Sequence, residues 1–496
     1  LRRAVAAYRA RKARRFDKQI ERDDMDFSFS EEQEAFRDMV RRWVNAEAPK
    51  DWLRKLEADE ENYPFALWDK LAKGGFFGIG IDEEWGGQGG DIIMQMIFAR
   101  EFARTAGGLL WTWGLTSFAG AKSIGLYGTQ AQKERWLPPM AAGELRVSIG
   151  MTEPGGGTDV LGAMRTYATK VDSGWRINGA KMWTTAARAA DRILLLARSD
   201  KNVEKRHQGL TLFFLDAKAQ GVTATLLPKL GMRAMGSCSL TLDNVFVPDA
   251  DLLGEPGRAW YMLLPTLNNE RIMVGAQCLG AIDGVLEDAL AYAKQRQAFG
   301  KPIGQFQIIQ HYIADIATWQ QETELLLNYV AWLQANGKEC GVQANMLKMV
   351  ASENAVKAAD LGIQILGGMG YSAETDMQRY WRAIRLPRAS ACRDRSDGGA
   401  AAAAGCGRCF TGRHGDLRDY RCGECGAMRI HRGGSGARRH GASRLLLHRH
   451  TGCDGQDRCR RVRDLRIQRG RRADDGQFRR GVSDTFAGGP AVPRAW

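Results

Sequence analysis

Apolar residues at Phe36, Met39, Val40, Trp43 and Val44 recur at the i, i+3, i+4, i+7, i+8 spacing of a helix with one buried face. Ser30 and Gln33 stand just ahead of them. That spacing suits a capping box, in which each side chain satisfies the other residue's free backbone N–H. Helix-like segments continue to about Leu137, broken by WGGQGG at Trp85–Gly90. Near Arg146 the pattern changes. RILLLARS (Arg192–Ser199), GLTLFFLD (Gly209–Asp216) and SLTLDNVFVP (Ser239–Pro248) are short β-rich runs between turn residues. They predict a small sheet or barrel of about 100 residues. Helical spacing returns from Trp260. Ala276–Gln295, Phe306–Ala335 and Val342–Leu366 are each long enough for a bundle helix. The expected fold is α+β: a helical N-terminal domain at 25–145, a β domain at 146–250 and a C-terminal helical bundle at 251–382. A head (1–24) and a tail (383–496) flank it.

The chain has 496 residues, 44% of them apolar, which is enough for two to four domain-sized units. No run approaches the roughly 18 apolar residues of a membrane span, and no secretory signal is visible. The net charge of +14 invites a nucleic-acid reading, but its distribution opposes one. The head carries nine basic and four acidic residues, the tail 25 arginines and 11 acids, and the middle is left mildly acidic. The tail has no lysine, a single glutamate (Glu424), five of the seven histidines and seven of the ten cysteines. GC-rich DNA read in the wrong frame gives such a composition. The expectation is a frame lost near Arg382, an incomplete bundle and a disordered tail. Met25 opens MDFSFSEEQ like a natural start. In the head, Asp17, Glu21, Asp23 and Asp24 argue against a mitochondrial transit peptide. The head is expected to lie outside the fold, and a bacterial cytoplasm is preferred to the mitochondrial matrix.

Three stretches carry candidate chemistry. MTEPGGGTDV (Met151–Val160) is a Gly-rich turn after a strand-like start, whose backbone N–H groups can face a ligand. KMWTT (Lys181–Thr185) adds a flat apolar face and hydroxyls. Together they suit a heteroaromatic ring with polar edges, or else a hairpin loop and a core tryptophan. LNNERIMVGA (Leu267–Ala276) sets Glu270 and Arg271 at the head of an apolar run. Glu270 is there either a first-turn carboxylate facing the helix dipole or a general base.

MTEPGGGTDV, INGAKMWTT, LNNERI, RQAFGKPIGQFQ and QILGGMGY, in that order and spacing, resemble the acyl-CoA dehydrogenase family over about residues 25–382. The resemblance implies FAD as cofactor and removal of an α-proton and a β-hydride from an acyl-CoA, the hydride going to flavin N5. By it, Met151, Thr152, Thr158, Trp183 and Thr185 contact the flavin ring, and Thr158 also lies near the substrate. Arg296 and Gln307 reach the FAD of a neighbouring subunit. Gln364, Gly367 and Gly368 make a second cross-subunit contact, although Gly367–Gly368 also fits a helix C-cap. Glu270 is the implied base; Arg271 is expected to orient it and contact the substrate, or else to be a surface charge. The family's other base position would fall near Ala391, which is not acidic. An electron-transferring flavoprotein as acceptor, a homodimer or homotetramer, and a place in fatty acid metabolism follow from the same resemblance. Two other readings stay open: a DNA-associated flavoprotein of this fold gripping phosphates with its basic tail, and a truncated, inactive homologue.

Cys406-x-x-Cys409 and Cys422-x-x-Cys425 have zinc-ribbon spacing, but their Ala, Gly and Arg flanks offer little to pack, and no metal is expected. Cys238, Cys278 and Cys340 read as buried, neutral thiols, and His207 and His311 as structural.

Overall fold

The computed structural model describes residues 27–59, 63–157 and 159–389. Helix α1 (Glu31–Glu47) starts at the expected capping box: Gln33 N donates to Ser30 Oγ at 3.3 Å and Ser30 N to Gln33 Oε1 at 2.9 Å. Phe36, Val40 and Val44 form its buried face. Helices α2 (Lys50–Ala58), α3 (Phe65–Lys73) and α4 (Ile92–Ala106) follow, α4 capped by the Asp91 carboxylate at Ile93 N and Met94 N. Beyond α4 the winding changes repeatedly: a 3-10 turn (Gly107–Leu110), α5 (Trp111–Gly114), a π-helical segment (Leu115–Gly120) and α6 (Ala121–Tyr127). Such π segments are frequent at functional sites. Helix α7 (Gln130–Ala142) closes this part.

The middle is an eight-stranded sheet. Its strands are β1 (Val147–Gly150), β2 (Tyr167–Val171), β3 (Gly174–Thr185), β4 (Arg192–Arg198), β5 (Leu210–Asp216), β6 (Val222–Leu226), β7 (Ser237–Pro248) and β8 (Leu252–Leu253). A single helical turn, α8 (Val160–Ala163), lies between β1 and β2. The hydrogen-bonded path is open, β6-β7-β3-β2-β4-β5-β8, with β1 parallel to β4. Alternation in β4 and β5 buries both faces. Leu194, Leu196, Leu212 and Phe214 meet α6, α7 and the residues around Leu263. Ile193, Leu195, Phe213 and Leu215 meet Trp175, Ile177 and β7.

The bundle follows: α9 (Ala259–Gln295), α10 (Gln307–Ala335), α11 (Gly341–Leu366), the turn α12 (Gly368–Tyr371) and α13 (Met377–Ala389). Two sequence expectations change here. Helix α9 begins 17 residues before Ala276, so Glu270 is its twelfth residue and lies in its fourth turn. The dipole explanation for Glu270 fails, because that field acts only within the first turn. Helical structure also continues past Arg382 to Ala389. The helical parts on either side of the sheet share one core, where Phe98 and Phe102 of α4 join Ile282 and Val285 of α9 and Tyr380 of α13. Burial accounts for the thiols as expected. Cys238, Cys278 and Cys340 are free and buried, and desolvation pushes the Cys278 thiol up to about 12. Among the described residues no helix is long and apolar enough to cross a membrane.

Candidate active site

Strand β1 delivers Met151 and Thr152 to its C-terminal end, both half-buried. Strand β3 brings the second motif alongside: Met182 N donates to Thr152 O at 2.8 Å. The β3–β7 register shifts between Lys181 and Thr184, a bulge that re-aims the side chains at that point. Trp183 sits in it at φ 60°, a left-handed conformation, and the residue is 56% exposed. Ala186, just past Thr185, is also left-handed at φ 62°. Two non-glycine residues in this region within four positions mark local strain, which gathers where a ligand is held. Thr185 Oγ1 shares a hydrogen bond with Ser237 Oγ at 3.2 Å, and its carbonyl accepts from Ser148 Oγ at 2.6 Å. Met151, Thr152, Trp183 and Thr185 are therefore one surface. Thr158 lies outside the described residues.

Beneath this surface is an ion pair that the motifs did not reveal. Lys181 is fully buried, its Nζ 2.9 Å from Glu153 Oε1, 3.2 Å from Met151 O and 3.1 Å from Met164 Sδ. Glu153 also accepts from Arg165 N and Thr166 N at 2.5 and 2.9 Å. Burial pulls the Lys181 ammonium down to about 8, against the attraction of Glu153. Burial works to raise Glu153, but the Lys181 charge and three N–H donors outweigh it and hold the carboxyl below its usual range.

Glu270 is half-buried on α9, and its carboxylate has no hydrogen bond or ion pair among the described residues. Arg271 faces elsewhere, as i, i+1 neighbours on a helix do, and donates to Asn268 Oδ1 at 2.9 Å. Seven residues on, and so on the same face as Glu270, Gln277 accepts from Trp111 Nε1 at 3.1 Å. Trp111 opens the helical segment that runs through Thr116, whose Oγ1 accepts from Val147 N at 3.0 Å. Gly120 lets this segment lie against β1, since a Cβ there would meet Val147 at 2.9 Å. Thr112 Oγ1 donates to Met235 Sδ at 3.3 Å, beside the Ser237 that holds Thr185. The segment thus joins the Glu270 face of α9 to the surface formed by β1 and β3. Each of the three elements carries a buried hydroxyl with no partner among the described residues: Thr266 on α9 one turn before Glu270, Ser117 in the π segment and Thr184 in the β3 bulge. Unsatisfied buried hydroxyls are costly and call for an explanation. An exposed aromatic face, ring-edge hydroxyls and free buried hydroxyls nearby fit a flat heteroaromatic ring beside a polar substrate group.

A cavity of about 420 Å³ opens by Trp85, Lys122 and Lys133 and reaches Gln334, which donates to Asn269 beside Glu270. Asp82 and Glu84 also line it, so it suits a charged or hydrated group better than a hydrocarbon chain.

The remaining predicted residues lie apart. Arg296 ends α9 and Gln307 begins α10, both exposed, flanking a short hairpin with Phe299 at its tip, 94% exposed and at φ 50°. Gln364, Gly367 and Gly368 are exposed at the end of α11. Gly367 is its C-cap at φ 59°, with its N–H on Ile363 O, so the capping reading holds. Among the described residues no hydrogen bond joins these five to the β1–β3 surface. No group of His, Cys, Asp and Glu among the described residues could hold a metal ion. Cys406, Cys409, Cys422, Cys425 and Ala391 lie outside those residues. His207 packs edge-on against Tyr261.

The chain matches three consecutive family domains: acyl-CoA dehydrogenase N-terminal domain over residues 30–144, middle domain over 148–245 and C-terminal domain over 257–391. It is 34% identical over 359 residues to an acyl-CoA dehydrogenase of Bacillus subtilis, covering 72% of this chain and 93% of that one. It is 34% identical over 360 residues to the caffeyl-CoA reductase–Etf complex subunit CarC of Acetobacterium woodii, covering 72% and 94%. The fold matches butyryl-CoA dehydrogenase from Megasphaera elsdenii with a TM-score of 0.71 at 32% identity, over 76% of this chain and all of that one. With the helix–sheet–helix order and all three domains in sequence, this chain belongs to the acyl-CoA dehydrogenase family and is an oxidoreductase acting on acyl-CoA.

Proposed function

We propose that this chain carries out FAD-dependent α,β-dehydrogenation of an acyl-CoA thioester to a trans-2-enoyl-CoA, with Glu270 as the base. The observation that carries the reading is the state of Glu270: a half-buried carboxylate without a hydrogen-bond or ion-pair partner among the described residues, in the fourth turn of α9 where no dipole accounts for it. Glu270 takes the α-proton onto its carboxylate as the Cα–H bond breaks, and that electron pair becomes the new C=C bond. When bound, the flavin supplies the acceptor for the hydride leaving Cβ. Met151, Thr152, Thr158, Trp183 and Thr185 would hold the ring, Trp183 by its exposed face and the threonines at its edges. Arg271, kept off Glu270 by Asn268, is left to orient the substrate.

The exposed positions of Arg296, Gln307, Gln364, Gly367 and Gly368 support their role as contacts to the FAD of a neighbouring subunit in a homodimer or homotetramer. Phe299 and Tyr371, 94% and 85% exposed beside them, are large side chains that a partner surface would cover. Similarity to a subunit named for its Etf complex supports an electron-transferring flavoprotein as acceptor. The test is anaerobic titration of the purified protein with acyl-CoAs of graded length. The expected result is a yellow protein that some chain length bleaches, with release of the 2-enoyl-CoA. A folded, flavin-loaded protein that none of them bleaches contradicts the reading.

A further inference from the structure

Lys181 and Glu153 stand inside the two motifs at the site, yet neither belongs to the surface formed by Met151, Thr152, Trp183 and Thr185. Both are buried: Lys181 Nζ reaches that surface's backbone at Met151 O, 3.2 Å away, and Glu153, which holds Lys181, is itself anchored by the N–H groups of Arg165 and Thr166 ahead of β2. Lys181 is also the last residue in register before the β3 bulge, so fixing it fixes where the strand slips and where Trp183 emerges. We propose that Lys181 and Glu153 are positioning residues for the flavin. Their buried pair sets the Met151 carbonyl, the Thr152 backbone and the Trp183 bulge before the cofactor arrives. The proposal rests on the reading of these residues as ring contacts.

Physical chemistry separates this role from a purely structural one. A buried ion pair contributes little net stability, because desolvation offsets the attraction, and a neutral pair of similar size often serves the fold as well. What a neutral pair lacks is the directional hold of an ammonium on a carboxylate and a carbonyl. The charged groups around Lys181 are Glu153 from the turn after β1, with Arg165 before β2 and Arg198 on β4 acting on that carboxylate and on each other. With burial holding Lys181 at about 8, the folded chain gives up this proton above that pH, while an unfolded lysine keeps it to about 10.4. The unfolded state then binds more protons, so this group's contribution to fold stability rises with pH across the window. Loss of flavin in that window is therefore not unfolding driven by Lys181.

The experiment compares the full chain with K181M and with K181M/E153Q, the double variant leaving no lone buried charge. Apoprotein Tm, FAD dissociation constant and the visible spectrum of bound flavin are measured from about pH 6.5 to 9.5, a range spanning the Lys181 transition. The expected double variant has an apoprotein Tm near that of the unaltered chain, but binds FAD about tenfold or more weakly, with a shifted spectrum. In the unaltered chain FAD affinity falls as the pH rises through about 8; in the double variant it stays flat. Unchanged affinity and spectrum in the double variant overturn the proposal. If the double variant does not fold, the pH series of the unaltered chain decides: a fall near 8 supports the proposal, and a flat profile overturns it. Failure of the unaltered chain to take up FAD at any pH contradicts the ring-contact reading itself.

Discussion

Trp183 pays for its place. A left-handed tryptophan costs about 1–2 kcal/mol that glycine would not incur, and the residue stays more than half exposed, so little burial offsets the strain. Under the proposed function, contact with the flavin supplies the compensation that the fold itself does not provide. W183G is therefore expected to leave the apoprotein as stable or about 1 kcal/mol more stable, while FAD retention through gel filtration falls. A variant that loses stability yet holds FAD unchanged would assign Trp183 to the core, as the hairpin reading supposed. The motifs picked out the residues of this surface, but by residue type they suited a ring site or a hairpin loop with a core tryptophan, and only the family resemblance assigned them to a flavin. They did not announce the Lys181–Glu153 pair, since each residue also reads as ordinary loop or strand polarity. Nor could the unpartnered hydroxyls of Ser117, Thr184 and Thr266 be foreseen. Whether a hydroxyl is satisfied depends on neighbours that sequence order does not supply.

Elements with strong local signals were legible for the same physical reason that they form. The Ser30–Gln33 box placed the start of α1, and the short β-rich runs between turn residues placed β4 and β5 in a sheet, to which the structure adds that both faces are buried. Helical spacing from Trp260 agrees with the start of α9 at Ala259, but the sequence sets a distinct bundle helix only from Ala276, where the structure has one unbroken helix. Pro265 and the pair Asn268–Asn269 suggest a break, and no side chain caps the true beginning at Arg258. Tertiary packing of α9 on α4 and α11 overrides these weak local preferences. Helix α13 is held in the same tertiary manner. The Arg379 guanidinium, buried against Asp376, donates to the carbonyls of Thr105 and Ala106, and Tyr380 OH to that of Arg104 at 2.7 Å. Arg382 pairs with Glu57 of α2 at 2.9 Å. Removing Arg379 takes away one of the two guanidinium partners of Asp376, which keeps Arg54, and leaves two buried carbonyls without this donor, so R379M is expected to lower stability by about 1–3 kcal/mol. Urea titration followed by circular dichroism measures this. A loss below about 1 kcal/mol, the range of an exposed pair, would show that α13 does not brace the N-terminal helices.

At the scale of the molecule, the helices before and after the sheet fuse into one core. The Trp111–Gly120 segment bridges the long helix α9 and the sheet within it. This arrangement brings Glu270 and the β1–β3 surface, 85 to 119 residues apart in sequence, to two sides of one bridging segment. Composition located this fold in residues 25–382 and set the charged ends aside; the family domains extend that span to residue 391. What no pattern supplied was the connection through Gln277, Trp111 and Thr116, because each is an unremarkable core residue until the helices pack. The account as a whole turns on Glu270 as the base. The most direct measurement is anaerobic stopped-flow reduction of the flavin by an acyl-CoA in E270Q, loaded with FAD to the level of the unaltered chain. The account predicts intact flavin and an acyl-CoA affinity within a few-fold, with reduction slowed by about 10²–10⁴. Reduction of E270Q at the rate of the unaltered chain would contradict it and place the base elsewhere.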